Sequence, residues 1–294
     1  MTALPPLSTS ALVTTWAPDA LLLLPVGLLL TYAVLLVRHH GSWPLWRTAA
    51  LVAAMLVLAW AVAGAPTAYR ASLPWAGALS VGLTSAVAPL GLALADPVRL
   101  WEEVRGRPVA WVRGRAARVV MFPLLASTLS AALLTTAFAT GWFTTARTQD
   151  GPWAALQIGA LLTGLLVTLP LLGEELLPRW CGPGLRTTFA FADGLLDAVP
   201  GLVVLAAGDS ATGQTLLAVA ESVGLPMIFA VLWQWMHADE ADARAVDARL
   251  DRLEQRRAEP VADPTSDAVP ATGPDRPWWE SDPRFAGRYK GPGA

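Results

Sequence analysis

Cysteine, histidine and charge are all scarce in these 294 residues. The one cysteine, Cys181, excludes an intrachain disulfide framework and a multi-thiolate metal site. The three histidines, His39, His40 and His237, all fall at the ends of apolar stretches. Adjacent His39 and His40 offer poor geometry for one ion and have no third ligand nearby in sequence, so no metal site is expected from them. The five methionines are scattered, without a Met-x-x-Met pattern, and read as gap-fillers. No Walker loop, Gly-x-Ser-x-Gly, His-Glu-x-x-His or dinucleotide fingerprint is present, so no catalytic residue is assigned and an enzyme is not expected. No basic patch interleaved with aromatics points to nucleic acid. Only 15% of the residues are charged, against about 25% in a soluble domain. With 54% hydrophobic residues and a mean hydropathy of +0.46, the chain reads as a membrane protein.

Seven apolar stretches carry that reading. They are Ala20–Val37, Thr48–Ala65, Trp75–Ala95, Val119–Phe143, Ala154–Gly173, Thr187–Gly208 and Thr215–Met236. Each has about the length needed to cross ~30 Å of hydrocarbon at 1.5 Å per residue. Arginines fall on alternate loops. Arg38 and Arg47 follow the first stretch, six arginines from Arg99 to Arg118 follow the third, Arg179 and Arg186 follow the fifth, and Arg244 to Arg257 follow the seventh. The intervening loops hold only Arg70 and Arg147. Basic residues stay cytoplasmic during insertion. The expected fold is therefore an all-α, polytopic membrane bundle of about seven transmembrane helices, N-terminus outside and C-terminus cytoplasmic. No cleavable leader is expected, because the start lacks a basic segment and the first apolar run is long enough to span.

The chain divides into a short outer segment, 1–19, a membrane domain, 20–236, a cytoplasmic helical extension, 237–259, and a linker with a tail, 260–294. The extension is charged, alanine-rich and free of Gly and Pro, which favours helix. The linker is rich in Pro, Ala, Asp and Thr and reads as disordered. The tail carries Trp278, Trp279, Arg284 and Phe285, an aromatic and basic segment suited to docking on a partner or the membrane. Many of the 14 tryptophans, Trp153 among them, lie near span ends and read as interfacial anchors, while Trp101 and Trp111 beside arginines suggest an interfacial third loop. Pro25, Pro89, Pro123, Pro170, Pro200 and Pro226 lie within spans and predict bends. Gly77, Gly82 and Ser85 permit close helix contact on the third span. Gly173-Glu174-Glu175 reads as a helix-end turn with solvated acids.

Few ionisable groups sit at membrane depth. Asp193 and Asp197, four residues apart, share one face of the sixth span, and Glu221 lies on the seventh. A charge in hydrocarbon costs at least ~2.5 kcal/mol on insertion scales, so all three should face the bundle interior or water. They are the candidate intramembrane polar residues for handling protons or a cation, and no Lys or Arg lies within a span core to pair with them.

Three segments and the tail resemble one family, the CtaG-type cytochrome c oxidase assembly proteins. Val87-Ala88-Pro89-Leu90 running to Ala95-Asp96-Pro97-Val98 resembles the family's APLLLxLGxPV span ending. Leu169-Pro170-Leu171-Leu172-Gly173 followed by Pro178-Arg179 is similar to its WPLLGxDPxPR. Gln234-Trp235-Met236-His237 through Arg244 is similar to its QWxxxDExEAR, and the Pro-Trp-Trp-Glu tail resembles actinobacterial members. The resemblance implies a role in maturing the copper centre of a terminal oxidase, with oxidase subunits and membrane lipids as partners. It also implies family histidines, an HxxxH pair on the third span and one on the sixth, at the positions of Gly77, Val81 and Asp197 here. Imidazole and thiolate suit copper, and a lone carboxylate is a poor ligand for Cu(I). Copper is therefore possible only by resemblance and no cofactor is predicted. The expectation is a scaffold for oxidase biogenesis; the alternative is a proton-coupled or small-solute transporter using Asp197 and Glu221.

Overall fold

The computed structural model describes residues 5–109, 114–172 and 183–258. The expectations for Cys181, for Glu174 and Glu175, for Trp111, and for the tail residues Trp278, Trp279, Arg284 and Phe285 lie outside the described residues. Among the described residues every regular element is helical. Among the described residues six helices are long and apolar enough to cross a membrane, and a seventh is apolar but shorter. They follow the order of the apolar stretches, as expected of an all-α polytopic bundle. The chain divides into two units, Met1–Ala241 and Asp242–Ala294.

The first unit opens with α1 (Thr9–Thr14), capped by the Ser8 hydroxyl, which accepts from Ala11 N at 3.1 Å. A 3-10 turn (Ala20–Leu22) leads into α2 (Leu23–Arg38), followed by α3 (Leu45–Ala63) and the single turn α4 (Ala65–Ala68). The outer segment is tied down. Trp60 Nε1 donates to the Leu12 carbonyl at 3.0 Å, and the Tyr69 hydroxyl donates to the Pro5 carbonyl at 2.8 Å.

The third span is α5 (Pro74–Gly82), a π-helical turn (Leu83–Val87) and α6 (Ala88–Ala95). Pro89 explains the irregularity. It has no N–H for the Ser85 carbonyl one turn earlier, and the helix widens there to i→i+5 pairing, with Ala88 N–H donating to Leu83 O. Asp96, in the left-handed region at φ 48°, ends α6 and caps α7 (Pro97–Arg105) by accepting from Arg99 N at 3.2 Å.

The fourth apolar stretch, Val119–Phe143, is divided into α8 (Arg115–Val120), α9 (Pro123–Ala139) and α10 (Trp142–Ala146). Pro123 starts a helix where a bend within one was expected. It forces Phe122 into extended backbone (ψ 121°) and occupies the first turn of α9, where a missing N–H costs nothing. At 17 residues α9 spans about 25 Å, just short of the hydrocarbon thickness. The chain continues with α11 (Asp150–Leu172), α12 (Pro183–Ala206) and α13 (Ser210–Ala258). In the second unit α13 exposes Val246, Leu250 and Leu253.

The core forms where α3, α6, α9 and α11 meet, around Leu58, Val81, Leu92, Trp153 and Leu156. Trp153 is fully buried, so this tryptophan is a core residue and not an interfacial anchor. A smaller cluster of Ala126, Leu171, Phe189 and Met227 joins α9, α11, α12 and α13. Glycine sets the closest approaches. A Cβ on Gly164 would overlap the Ser85 carbonyl that Pro89 leaves free, so α11 lies directly against the π turn. A Cβ on Gly213 would fall 2.9 Å from the Gly201 carbonyl, which fixes the crossing of α12 and α13.

Candidate functional site

These close approaches leave a narrow cavity inside the bundle. α5 contributes Gly82, the π turn Ser85, α9 Ser130, α11 Thr168, α12 Asp193 and Asp197, and α13 Val219, Val223 and Met227. Four-residue spacing on α12 puts the two carboxylates on the same wall. Asp193 is 2% exposed. Its Oδ1 has no hydrogen-bond partner among the described residues. A buried carboxylate oxygen without a donor is costly, which favours a proton or a small cationic guest beside it.

Two of the hydroxyls, on Thr168 and Ser85, face the cavity as acceptors. The Thr168 hydroxyl donates to the Gly164 carbonyl at 3.0 Å and the Ser85 hydroxyl to the Gly82 carbonyl at 3.1 Å. Their protons are spent within their own helices, so both offer only lone pairs to the cavity. The space is small: about 30 Å³ is open to the centre of a water molecule, room for one or two waters. An acceptor-rich, water-sized cavity suits a proton or a small cation and excludes an organic solute in this conformation.

Glu221 does not join this site. Val219, Val223 and Met227 face the cavity at four-residue steps, and Glu221, midway between the first two, is exposed on the other side of α13. Nor do Gly77 and Val81 reach it. Val81 is fully buried in the main core, and a Cβ on Gly77 would already meet Phe143 Cζ at 3.2 Å. An imidazole at either position requires repacking of its neighbours.

Ser130 and Thr168 are not singled out by the sequence, and Ser85 only for close helix packing, although small hydroxyl residues recurring at helical spacing within apolar spans are the available signal. Gln157 was also missed. Its Nε2 donates to Ser80 Oγ at 2.6 Å, while Ser80 and Thr67 both donate to the Ala61 carbonyl at 2.6 and 2.7 Å. That buried network joins α3, α4, α5 and α11 and has a structural role.

Copper is poorly served here. The cavity offers carboxylates, hydroxyls and one thioether, Met227, with no imidazole or thiolate among its lining residues. Cu(I) prefers soft sulfur and imidazole donors, so the residues present do not fit it. Among the described residues no three His, Cys, Asp or Glu side chains are gathered where they could hold a metal ion.

The family model described as cytochrome c oxidase caa3 assembly factor matches residues 28–238. No curated protein and no solved structure matches the chain. The match runs from within α2 to within α13, across the bundle and the acidic cavity, and the chain belongs to the caa3-type cytochrome c oxidase assembly factor family.

Proposed function

We propose that this protein is a non-catalytic scaffold for biogenesis of a terminal cytochrome c oxidase, embedded in a bacterial plasma membrane. One observation supports scaffolding over copper delivery: the bundle carries the family match, yet its internal cavity offers oxygen donors and a single thioether. Oxidase subunits would dock on the bundle and on the segments beyond it, the helical extension 237–259 and the linker and tail 260–294 with Trp278, Trp279, Arg284 and Phe285. The test is deletion of the gene in its native host. Loss of oxidase activity and of the haem–copper spectrum, both restored by the intact chain and by an Asp197→Asn variant, is the expected result. Normal oxidase spectra in the deletion strain would reject the role.

A second reading has its own observation in the paired carboxylates on one cavity wall. In that reading Asp193 and Asp197 pass protons or a small cation across the bundle midplane. Asp197→Asn would then abolish a proton or cation flux measured in proteoliposomes. Glu221 has no part in this version, because it does not line the cavity.

A further inference from the structure

A second, separate cavity of about 380 Å³ lies between α2 and α7, a size typical of small-ligand sites at about 300–1,000 Å³. Its wall is apolar, with Leu30 and Val34 from α2 and Trp101 and Val104 from α7. Its mouth is cationic. Arg38 and Arg105 line the same space, each in the last turn of its helix. Neither arginine makes an ion pair among the described residues. Arg105 lies over the Trp101 ring, 4.9 Å from its centroid, which orients the guanidinium at the edge of the apolar wall.

The carboxylates nearby are already engaged. Glu103 meets His39 Nε2 and Arg99 Nε, both at 2.8 Å, and Glu102 accepts from Val109 N at 2.8 Å. Among the described residues two guanidiniums thus remain without an ion pair above a groove that opens along the outer side of α2, where Leu23, Leu30 and Val34 are exposed. Guanidinium groups match phosphate oxygens in geometry and charge. A free phosphate has no use for the apolar wall, and a neutral lipid has no use for the arginines. We propose that this groove binds an anionic phospholipid, its phosphate held by Arg38 and Arg105 and one acyl chain laid along Leu30 and Val34. Both arginines stand on the side that the charge pattern assigns to the cytoplasm, where anionic lipid and basic side chains attract. The bound lipid would brace α7 against the first span.

Native mass spectrometry of the full chain with equimolar phosphatidylglycerol and phosphatidylcholine tests this. The wild-type chain should retain phosphatidylglycerol with a preference of about ten-fold. The double variant R38Q/R105Q should bring the ratio close to one, while R147Q, in another loop, should leave it unchanged. Val34→Trp fills the groove with both arginines intact and should reduce phosphatidylglycerol occupancy several-fold, which keeps the test independent of any folding defect in the double variant. Soluble glycerol 3-phosphate should not displace the lipid. An undiminished preference in R38Q/R105Q, or displacement by glycerol 3-phosphate as effective as by phosphatidylglycerol itself, would overturn the proposal.

Discussion

Arg47 Nη1 donates to Asp96 Oδ2 at 2.9 Å, and this pair locks the start of α3 to the end of α6. Asp96 does three things at once. It adopts the left-handed backbone that turns the chain, it caps α7 through Oδ1, and it neutralises Arg47. Arg47 is further held between the rings of Trp43 and Trp46, at 5.0 and 5.4 Å. Trp43 Nε1 in turn donates to the Tyr32 hydroxyl at 2.8 Å, and Tyr32 donates to the Ala95 carbonyl at 3.3 Å. One residue thus closes a ring of contacts around the ends of three spans.

Asp96→Ala removes the cap and places a Cβ residue other than Asn or Asp in left-handed backbone, for a combined cost of about 2–3 kcal/mol. Asp96→Asn keeps both the cap and the tolerance for that conformation, so its cost should stay within about 1 kcal/mol. Unfolding of the two variants in detergent should separate them clearly. Equal stabilities would show that the turn does not depend on this side chain.

Glycine supplies the second prediction through a contrast. A methyl at Gly164 meets the Ser85 carbonyl and the Pro89 ring, both parts of a rigid π turn. Gly164→Ala should therefore destabilise by about 1–3 kcal/mol, the usual range for overpacking. Gly27, inside α2, has nothing within 4 Å of its added methyl. Gly27→Ala should be neutral or stabilising by up to about 1 kcal/mol, because alanine is the better helix former. Comparable losses in both variants would point to a general intolerance of substitution and not to the π-turn contact.

At the other end of the bundle a visible ion pair and a hidden ring can be ranked. Arg70 pairs with Asp150 and lies over Trp153 at 5.1 Å. The Asp150 side chain is 89% exposed, so Asp150→Asn should cost under about 1 kcal/mol. Trp153 is fully buried, and Trp153→Ala should cost about 3–5 kcal/mol. Chemical unfolding of the two variants checks the order, and a larger loss in Asp150→Asn would reverse the assignment of the core.

The order of the apolar helices could be read from hydrophobic length, because lipid demands it, but not the break of the fourth stretch into α8, α9 and α10. Rotation about each helix axis could not. A span that is apolar on all sides gives no phase, which is why Glu221 was grouped with Asp193 and Asp197 although α13 turns it outward. The two aspartates line one cavity, because four-residue spacing fixes a shared face whatever the rotation. Proline was visible but its consequence was not. Pro89 widens a helix and Pro123 starts one, and only the neighbouring backbone decides between these outcomes. Trp153 misled for a similar reason. Its place in the sequence, near a span end, matches an interfacial anchor, but it is fully buried in the main core.

The last prediction concerns copper content. Soft donors set Cu(I) affinity, and the acidic cavity presents one thioether among oxygens. Protein purified without chelator from copper-supplemented cells should therefore carry well under one copper per chain, about 0.1 or less by the ligand preferences of the metal. A family member with histidine at the positions of Gly77, Val81 and Asp197 should retain more under the same washing. Substituting those three residues by histidine in this chain is a poorer comparison, because Val81 is fully buried and Gly77 abuts Phe143, so the replacements would disturb the fold. Stoichiometric copper on the present chain, lost in an Asp193→Asn, Asp197→Asn or Met227→Leu variant, would place a metal in the cavity and end the argument for a scaffold that works without it.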